Sequence, residues 1–160
     1  MSLTTRPATA ADAAAIAAIY NQGIADRTAT FETRPRSAAD VEQWFDGVHP
    51  IIVAEAGGRV IAYAGSSTYR PRECYRGVAE FSVYVSRDSR RHGAGRAALQ
   101  ALMSACAAAG FWKLVSRVFP ENAASLALLR DLGFREVGVY ERHGQLDGDW
   151  KDVVIVERLL

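Results

Sequence analysis

The sequence predicts an α+β domain over residues 1–160, in which about four helices flank a central mixed sheet of about seven strands. Short extended segments joined by tight turns dominate the first half, as in hairpins. The second half alternates strand-like and helix-like segments. Hairpins give antiparallel neighbours and strand–helix–strand units give parallel ones, so we expect a mixed, mostly antiparallel sheet with helices on its faces.

The first predicted elements are a strand, a helix and a loop. Residues 4–8 have an extended pattern. Thr9, with Asp12 three residues later, is typical of a capping box at the start of a helix. We expect this helix to end at about Asn21, and residues 23–35 to form a loop.

A second helix and a run of strands follow this loop. Ser37 is a typical N-cap for the helix, which we expect to extend through residue 45 and to end before Pro50. The periodicity then changes from helical to extended, and Gly57 with Gly58 predicts a tight hairpin turn. The predicted strands of this region cover residues 51–55, 60–69 and 78–85.

Strands and helices alternate in the remainder of the chain. Gly110 and Gly133 follow two helical patterns, in the position where a left-handed residue commonly ends a helix. The predicted helices cover residues 93–109 and 122–132. The predicted strands cover residues 111–119, 134–142 and 150–159, and a turn region over 144–149 joins the last two.

Composition and charge argue against several functional classes. The net charge is only +1, so no overall field attracts nucleic acid or an anionic membrane. Cys74 and Cys106 lie far apart, and the three histidines have no metal-ligand spacing. The first residues lack the pattern of a signal peptide. We therefore expect a cytoplasmic protein that binds no metal, nucleic acid or membrane, with Cys106 as a small core residue.

The most informative segment is a basic turn before the long helix. Gly93 and Gly95 open the helix, and Arg90, Arg91 and Arg96 surround them. The first turn of a helix offers unpaired N–H groups and the positive end of the dipole, and glycine lets an anion approach that backbone closely. The pattern predicts a pyrophosphate site that requires no metal.

Two other phosphate-binding patterns compete with this interpretation. A Walker loop needs Gly-Lys-Ser/Thr at its end, which the turn lacks. The dinucleotide pattern fits better, because Gly93, Gly95 and Ala98 match G-x-G-x-x-A and Glu121 lies near the end of the next strand. About seven residues separate the strand from Gly93, however, where the dinucleotide fold turns directly. A nucleotide-dependent reductase remains an alternative.

Two spaced motifs resemble those of the GNAT superfamily of N-acetyltransferases. The turn Arg90-Arg91-His92-Gly93-Ala94-Gly95 resembles the family's Arg/Gln-x-x-Gly-x-Gly/Ala turn, and residues 122–134 resemble its Asn-x-x-Ser…Gly-Phe helix. The resemblance implies acetyl-CoA as co-substrate. It implies binding of acetyl-CoA by Val83, Tyr84, Val85, Arg90, Arg91, His92, Gly93, Ala94, Gly95, Arg96, Asn122 and Ser125.

Short blocks along most of the chain are similar to the phosphinothricin and methionine sulfoximine acetyltransferase subfamily. That subfamily acetylates the α-amine of small glutamate- or methionine-like amino acids and is usually dimeric, so the resemblance implies a homodimer with such a substrate. The blocks are Ile19-Tyr20-Asn21, Thr30-Phe31-Glu32, Tyr69-Arg70-Pro71, Tyr75-Arg76, residues 80–85 and Trp150-Lys151-Asp152-Val153.

Acetyl transfer to an amine requires removal of a proton from the nucleophile. Alternation along the strand places Glu80, Ser82 and Tyr84 on one face, and the subfamily resemblance implies that Glu80 is the general base, acting directly or through water. Many family members carry Tyr or His as proton donor to sulfur where this chain has Leu129. The thiolate then leaves unassisted, takes a proton from water, or takes one from Tyr140.

The substrate carboxylate needs a cation. Arg70 and Arg76 flank the loop that enters the Glu80 strand, and we expect them to clamp the carboxylate. Phe31 and Tyr84 are expected to pack against the substrate side chain. Two alternatives stay open: an acetyltransferase for protein N-termini or lysines, and a CoA-binding module without turnover.

Overall fold

The computed structural model describes residues 2–160, and over these residues seven strands form one mixed sheet flanked by four helices. The strands are β1 (Leu3–Pro7), β2 (Ile51–Ala56), β3 (Arg59–Thr68), β4 (Val78–Val85), β5 (Lys113–Val118), β6 (Arg135–Leu146) and β7 (Asp149–Leu159). The helices are α1 (Ala13–Asp26), α2 (Ala38–Glu42), α3 (Ala94–Ala108) and α4 (Ala123–Asp131). The predicted α+β class is confirmed.

The strand order across the sheet is β1-β2-β3-β4-β5-β7-β6. All neighbouring strands are antiparallel except β4 and β5, which run parallel. The chain crosses between these two strands through α3, as the strand–helix–strand pattern of the sequence predicts. The sheet is therefore mixed and mostly antiparallel.

Some element boundaries differ from the sequence-based prediction. α1 continues to Asp26, because its last turns pack Gly23 and Ile24 into the interior; Arg27, with a φ of 59°, then ends it. α2 ends at Glu42 rather than at residue 45. The prediction that a loop begins at residue 23 was therefore wrong, because residues 23–26 form the last turn of α1.

The last hairpin is also tighter than predicted. β6 continues through Leu146, with Gln145 paired to Trp150 on β7. Only Asp147 and Gly148 form the turn, with φ values of 52° and 84°. Both residue types tolerate the left-handed region, which a two-residue hairpin turn requires.

Two large apolar clusters lie on opposite faces of the sheet. α3 and α4 cover one face, where Leu99, Leu102 and Cys106 are fully buried, as predicted for Cys106. α1 and α2 cover the other face, where Ile16 and Tyr63 are buried. Along the part of the chain that is described, no helix has both the length and the apolar character needed to cross a membrane.

Asp12 ties the start of the helical region to the edge of the sheet. The predicted capping box is present, with the Asp12 carboxylate accepting from the Thr9 backbone N–H at 2.8 Å. Arg6 on β1 donates two further hydrogen bonds to this carboxylate, both of 2.8 Å. The Arg6 guanidinium holds the pKa of the Asp12 carboxyl below its usual value, and the Thr9 N–H acts in the same direction.

Replacing Asp12 with Asn should lower the free energy of unfolding at pH 7 by about 1 to 3 kcal/mol, since charge-assisted hydrogen bonds are lost. A carboxyl with a depressed folded-state pKa stabilises the fold fully above its unfolded pKa. That stabilisation is lost as the pH falls through the folded value. Urea unfolding should therefore show the difference between variant and wild type shrinking between about pH 5 and pH 2. A constant difference over this range would contradict the assignment.

Candidate active site

The sheet opens between its two parallel strands. β4 and β5 pair over only three residues each, and the ladder ends at Glu80 and Val115 although both strands continue. Where they separate, the Ser116 hydroxyl on β5 donates to the Phe81 carbonyl oxygen at 2.8 Å. A gap follows, bounded by β4 on one side and by the start of α4 on the other.

The open edge of β4 presents backbone groups that no strand pairs with beyond Glu80. Every second residue of a strand directs its peptide groups toward the same edge, and the Phe81 carbonyl marks the edge that faces β5. Val83 and Val85 therefore direct their N–H and C=O groups away from β3 and toward the open side, where the Val85 carbonyl accepts from Arg90 Nε at 3.4 Å. These groups can pair with an extended amide-containing ligand as a further strand would.

A groove of about 570 Å³ extends from this edge to the start of α3. It brings together all the residues predicted to bind acetyl-CoA except His92, which is exposed and is not among its lining residues. The predicted residues that line it are Val83, Tyr84, Val85, Arg90, Arg91, Gly93, Ala94, Gly95, Arg96, Asn122 and Ser125. The sequence analysis missed Gly23, Asp26, Thr28, Ala29, Ala124 and Leu128, which complete the lining.

The two glycines of the basic turn have different roles, whereas the sequence analysis gave them the same one. Gly93 precedes α3 with a φ of 83°, in the left-handed region that favours glycine. Gly95 lies inside the helix, where a Cβ atom would come within 3.1 Å of Val85 Cγ2 and 3.6 Å of Val83 Cγ1. Its missing side chain lets α3 pack closely on β4, which places the helix start beside the open edge.

The arginines around the helix start differ in how far their charge is already compensated. Arg90 and Arg87 each pair with Asp26 of α1 at 2.7 Å, and Arg96 pairs with Asp131 at 2.9 Å. Arg90 and then Arg87 hold the pKa of the Asp26 carboxyl below its usual value. Among residues 2–160, Arg91 has no carboxylate within ion-pair distance. Arg91 is therefore the cation most available to an anionic ligand.

Glu80 lies on β4 where the sheet opens, and its carboxylate contacts an arginine that the sequence analysis missed. Arg117 on β5 donates from Nη2 to Glu80 Oε1 at 2.8 Å. Because Glu80 lies opposite Val115 in the parallel register, Arg117 falls on the same face two residues later. The alternation of side chains along β5 could have predicted which face of the sheet Arg117 lies on. Its contact with Glu80, however, depends on the register between β4 and β5, which the sequence does not reveal.

The predicted division of β4 between the two faces is confirmed. Phe81 lies in the cluster under α3 and α4. Tyr84 packs with the cluster under α1, where its ring lies 5.6 Å from that of Tyr63 and 5.2 Å from that of Tyr20. Burial raises the pKa of the Tyr84 hydroxyl well above its usual value, so this group stays protonated at neutral pH.

A small cavity of about 60 Å³ occupies the gap itself and shares several lining residues with the groove. Ser116, Arg117 and Leu129 are among the residues that line it. Leu129 is buried and apolar, so it donates no proton there. Tyr140 lies on the exposed edge strand β6, where its ring is 4.7 Å from that of His143, and it does not line the cavity.

A third cavity, of about 460 Å³, lies on the α1 and α2 face of the sheet, and we call it the front pocket. Tyr20, Trp44 and Tyr63 form its aromatic wall, and Ser67, which lies opposite Glu80, lines it as well. Ser82 lines both this front pocket and the gap between the strands. The gap therefore adjoins the groove along Val83 and Tyr84, and it adjoins the front pocket at Ser82. Glu80 precedes Ser82 by two residues on β4 and lines none of the three cavities.

The two arginines predicted to bind the substrate carboxylate each lie near an aromatic ring. Arg70 is exposed, with its guanidinium 5.0 Å from the Tyr69 ring. Arg76 lies over Trp112 at 5.6 Å and is 3.7 Å from Glu73. Neither arginine lines the three cavities described above.

Of the two aromatic candidates for the substrate pocket, the structure brings only one to the cavities. Phe31 packs edge-to-face on Phe119, at 4.9 Å between ring centroids, in a small apolar cluster beneath the β6–β7 hairpin. Tyr84 lines both the groove and the gap. Within residues 2–160, no group of three or more His, Cys, Asp or Glu side chains is arranged to hold a metal ion.

The combination of an opened parallel pair, a glycine turn and a basic helix start agrees with the family comparison. The model of the acetyltransferase (GNAT) family matches residues 17–134. The chain belongs to this family. It is therefore a GNAT-type N-acetyltransferase, which confirms the resemblance inferred from the turn and from the Asn-x-x-Ser helix.

Individual GNAT relatives are similar along nearly the whole chain. The L-methionine sulfoximine/L-methionine sulfone acetyltransferase of Pseudomonas paraeruginosa is 39% identical over 162 residues, covering 98% of this chain and 94% of the relative. A phosphinothricin acetyltransferase from Sinorhizobium meliloti, solved with AcCoA, is 35% identical, with a TM-score of 0.92 over 100% of this chain and 89% of that chain. A ribosomal-protein-alanine N-acetyltransferase from Brucella melitensis is 34% identical, with a TM-score of 0.93 over 98% of this chain and 99% of that one.

Proposed function

We propose that this GNAT enzyme uses acetyl-CoA to acetylate the α-amine of a small amino acid such as phosphinothricin or methionine sulfoximine or sulfone, with residues 1–160 as one catalytic domain. The opening of the sheet at Glu80 carries this proposal. It places a carboxylate beside the gap that adjoins the groove, and the far end of the groove is the basic start of α3. The names of the relatives support the substrate class.

The groove fits the parts of acetyl-CoA in order. The N–H groups at the start of α3, together with Arg91, suit the pyrophosphate, because an anion is stabilised at a helix N-terminus. The open edge at Val83 and Val85 suits the amides of the pantetheine arm. Asn122 and Ser125 lie at the start of α4, where the groove meets the gap. The thioester end of the ligand would then lie between β4 and β5.

The transfer forms a C–N bond to the amine and breaks the C–S bond of the thioester. An ammonium has no lone pair, so its proton must first leave, and Glu80 is the proposed acceptor, directly or through water. The N–H groups near Val83 and Tyr84 are the proposed donors to the oxyanion. Leu129 donates nothing to sulfur, so the sulfur leaves as thiolate or is protonated by water.

The front pocket supports a short side chain as the third part of the substrate. Its wall of Tyr20, Trp44 and Tyr63 offers apolar contact, while Ser67 and Ser82 offer hydroxyl groups. A tetrahedral sulfur or phosphorus group carries hydrogen-bond acceptors that a methionine thioether lacks. Such a group would therefore bind these hydroxyls better than methionine does.

The test is release of CoA thiol over a panel of amino acids and amines. Methionine sulfone and methionine sulfoximine should be acetylated at least about tenfold more efficiently than methionine, since leaving a pocket hydroxyl unpaired costs about 1 to 3 kcal/mol. Acetyl-CoA, but not NADPH, should raise the melting temperature. A shift with NADPH and none with acetyl-CoA would favour the dinucleotide alternative and contradict the proposal.

A protein N-terminus is the second candidate acceptor, because a ribosomal-protein-alanine N-acetyltransferase is among the similar structures. Such an acceptor has no free carboxylate beside its amine and needs an open path for the following residues. Peptides that react as fast as free amino acids in the same assay would favour this acceptor.

We also propose, from the subfamily resemblance, that the enzyme is a cytoplasmic homodimer. The edge strand β6 supports a second copy as partner, because Val137, Val139 and Tyr140 are about half exposed along it. An edge strand with exposed apolar side chains is a common site of association between chains.

A further inference from the structure

The ion pair between Glu80 and Arg117 stands at the point where the sheet opens. Arg117 Nη2 lies 2.8 Å from Glu80 Oε1, with about half of the arginine side chain and a third of the glutamate side chain exposed. Arg117 is also the only charged residue among those that line the small gap. The pair therefore presents one positive and one negative group side by side, next to the place proposed for the thioester.

Stability of the fold does not explain this arrangement. Exposed ion pairs contribute little to stability, because water already solvates both partners well. The ladder between β4 and β5 has also ended at Glu80, so Arg117 bridges strands that no longer hydrogen-bond as neighbours. A ligand that enters the gap can therefore compete with Glu80 for Arg117.

A free α-amino acid matches this pair in charge and spacing. Its carboxylate and its ammonium group are attached to the same carbon atom, so two adjacent sites of opposite charge recognise both. Arginine suits the carboxylate because its planar guanidinium can donate two parallel hydrogen bonds to it. Glu80 suits the ammonium group, from which it would then accept the proton.

We propose that Arg117 binds the α-carboxylate of the acceptor amino acid, exchanging its contact with Glu80 for the substrate and leaving Glu80 to the amine. This inference rests on the proposed function and names the carboxylate partner within it. Arg70 and Arg76, the partners expected from the sequence, lie against the rings of Tyr69 and Trp112 instead. Arg117 alone among the three contacts the proposed base.

The experiment compares methionine sulfone with its decarboxylated analogue, 3-(methylsulfonyl)propylamine, as acceptors. Arg117→Ala should lower kcat/KM for methionine sulfone about 10- to 100-fold, because a charge-assisted contact to the carboxylate is lost. It should lower kcat/KM for the amine far less, and it should leave the KM for acetyl-CoA nearly unchanged because Arg117 does not line the groove. Arg117→Lys should retain part of the preference, since lysine keeps the charge without the planar pair of donors.

Arg130→Ala is the matched control. Arg130 forms a similarly exposed pair with Glu136, at 2.6 Å, away from the three cavities. Arg130→Ala should keep the wild-type kcat/KM for both acceptors and the wild-type KM for acetyl-CoA. It should therefore also keep the preference for the acceptor that carries a carboxylate. Melting temperatures of all variants, measured alongside, show whether each one is folded; if Arg117→Ala is not, Arg117→Lys and Arg117→Gln carry the comparison.

Three outcomes would overturn the inference. If Arg117→Ala slows both acceptors alike, Arg117 positions Glu80 and does not bind the carboxylate. If Arg76→Ala or Arg70→Ala removes the preference and Arg117→Ala does not, the carboxylate binds the loop arginines. If the wild-type enzyme acetylates neither acceptor, the proposed function itself fails, which the wild-type assay alone reveals.

Discussion

Replacing Glu80 with Gln is expected to lower kcat by at least about 100-fold, because positioned general bases typically contribute 10² to 10⁴ to the rate. Gln keeps the size and a hydrogen-bond acceptor but accepts no proton from the amine. Acetyl-CoA should still bind, since Glu80 does not line the groove.

Glu136→Gln provides the control for this loss. Glu136 is also a strand residue in an exposed pair with an arginine, and it lies on the edge strand β6, away from the gap. Its replacement should leave kcat unchanged, which separates loss of the base from loss of any surface carboxylate. Near-normal kcat for Glu80→Gln at pH 7 would show that the amine loses its proton elsewhere.

Local patterns were sufficient to predict which elements form and the basic turn, and the resemblance to the GNAT family predicted the other groove residues. The caps at Thr9 and Ser37 depend on neighbouring residues, and both are present. The basic turn and the Asn122 helix start are likewise local, and they meet because α3 and α4 follow the two strands that separate. The residues at the two helix starts could therefore be identified without a structure, whereas Val83, Tyr84 and Val85 were identified only through the family resemblance.

Features that depend on register or tertiary packing could not be predicted. Asp26 compensates Arg90 only because α1 continues past Asn21, and its last turns are stabilised by packing rather than by sequence pattern. Arg117 reaches Glu80 only through the parallel register of β4 and β5. The surroundings of Arg76 depend in the same way on Trp112, a residue 36 positions later in the chain.

Truncating Leu102 to Ala is expected to lower the free energy of unfolding by about 2 to 5 kcal/mol. Leu102 lies fully buried on the face of α3 that packs against the sheet, so the truncation leaves a cavity that its neighbours fill only in part. The same helix starts at the basic turn of residues 90–96. In Leu102→Ala, the backbone amides of α3 should therefore also exchange hydrogen faster than the same amides do in the wild type.

Gln100→Ala is the control for this prediction, because Gln100 is exposed on the same helix and Ala is the better helix former. Its unfolding free energy should stay within about 0.5 kcal/mol of wild type. Well below the melting temperature of Leu102→Ala, kcat should remain close to normal, because Leu102 lines none of the three cavities. Equal stability of the two variants in urea unfolding would show that the packing of α3 on the sheet does not stabilise the fold as described.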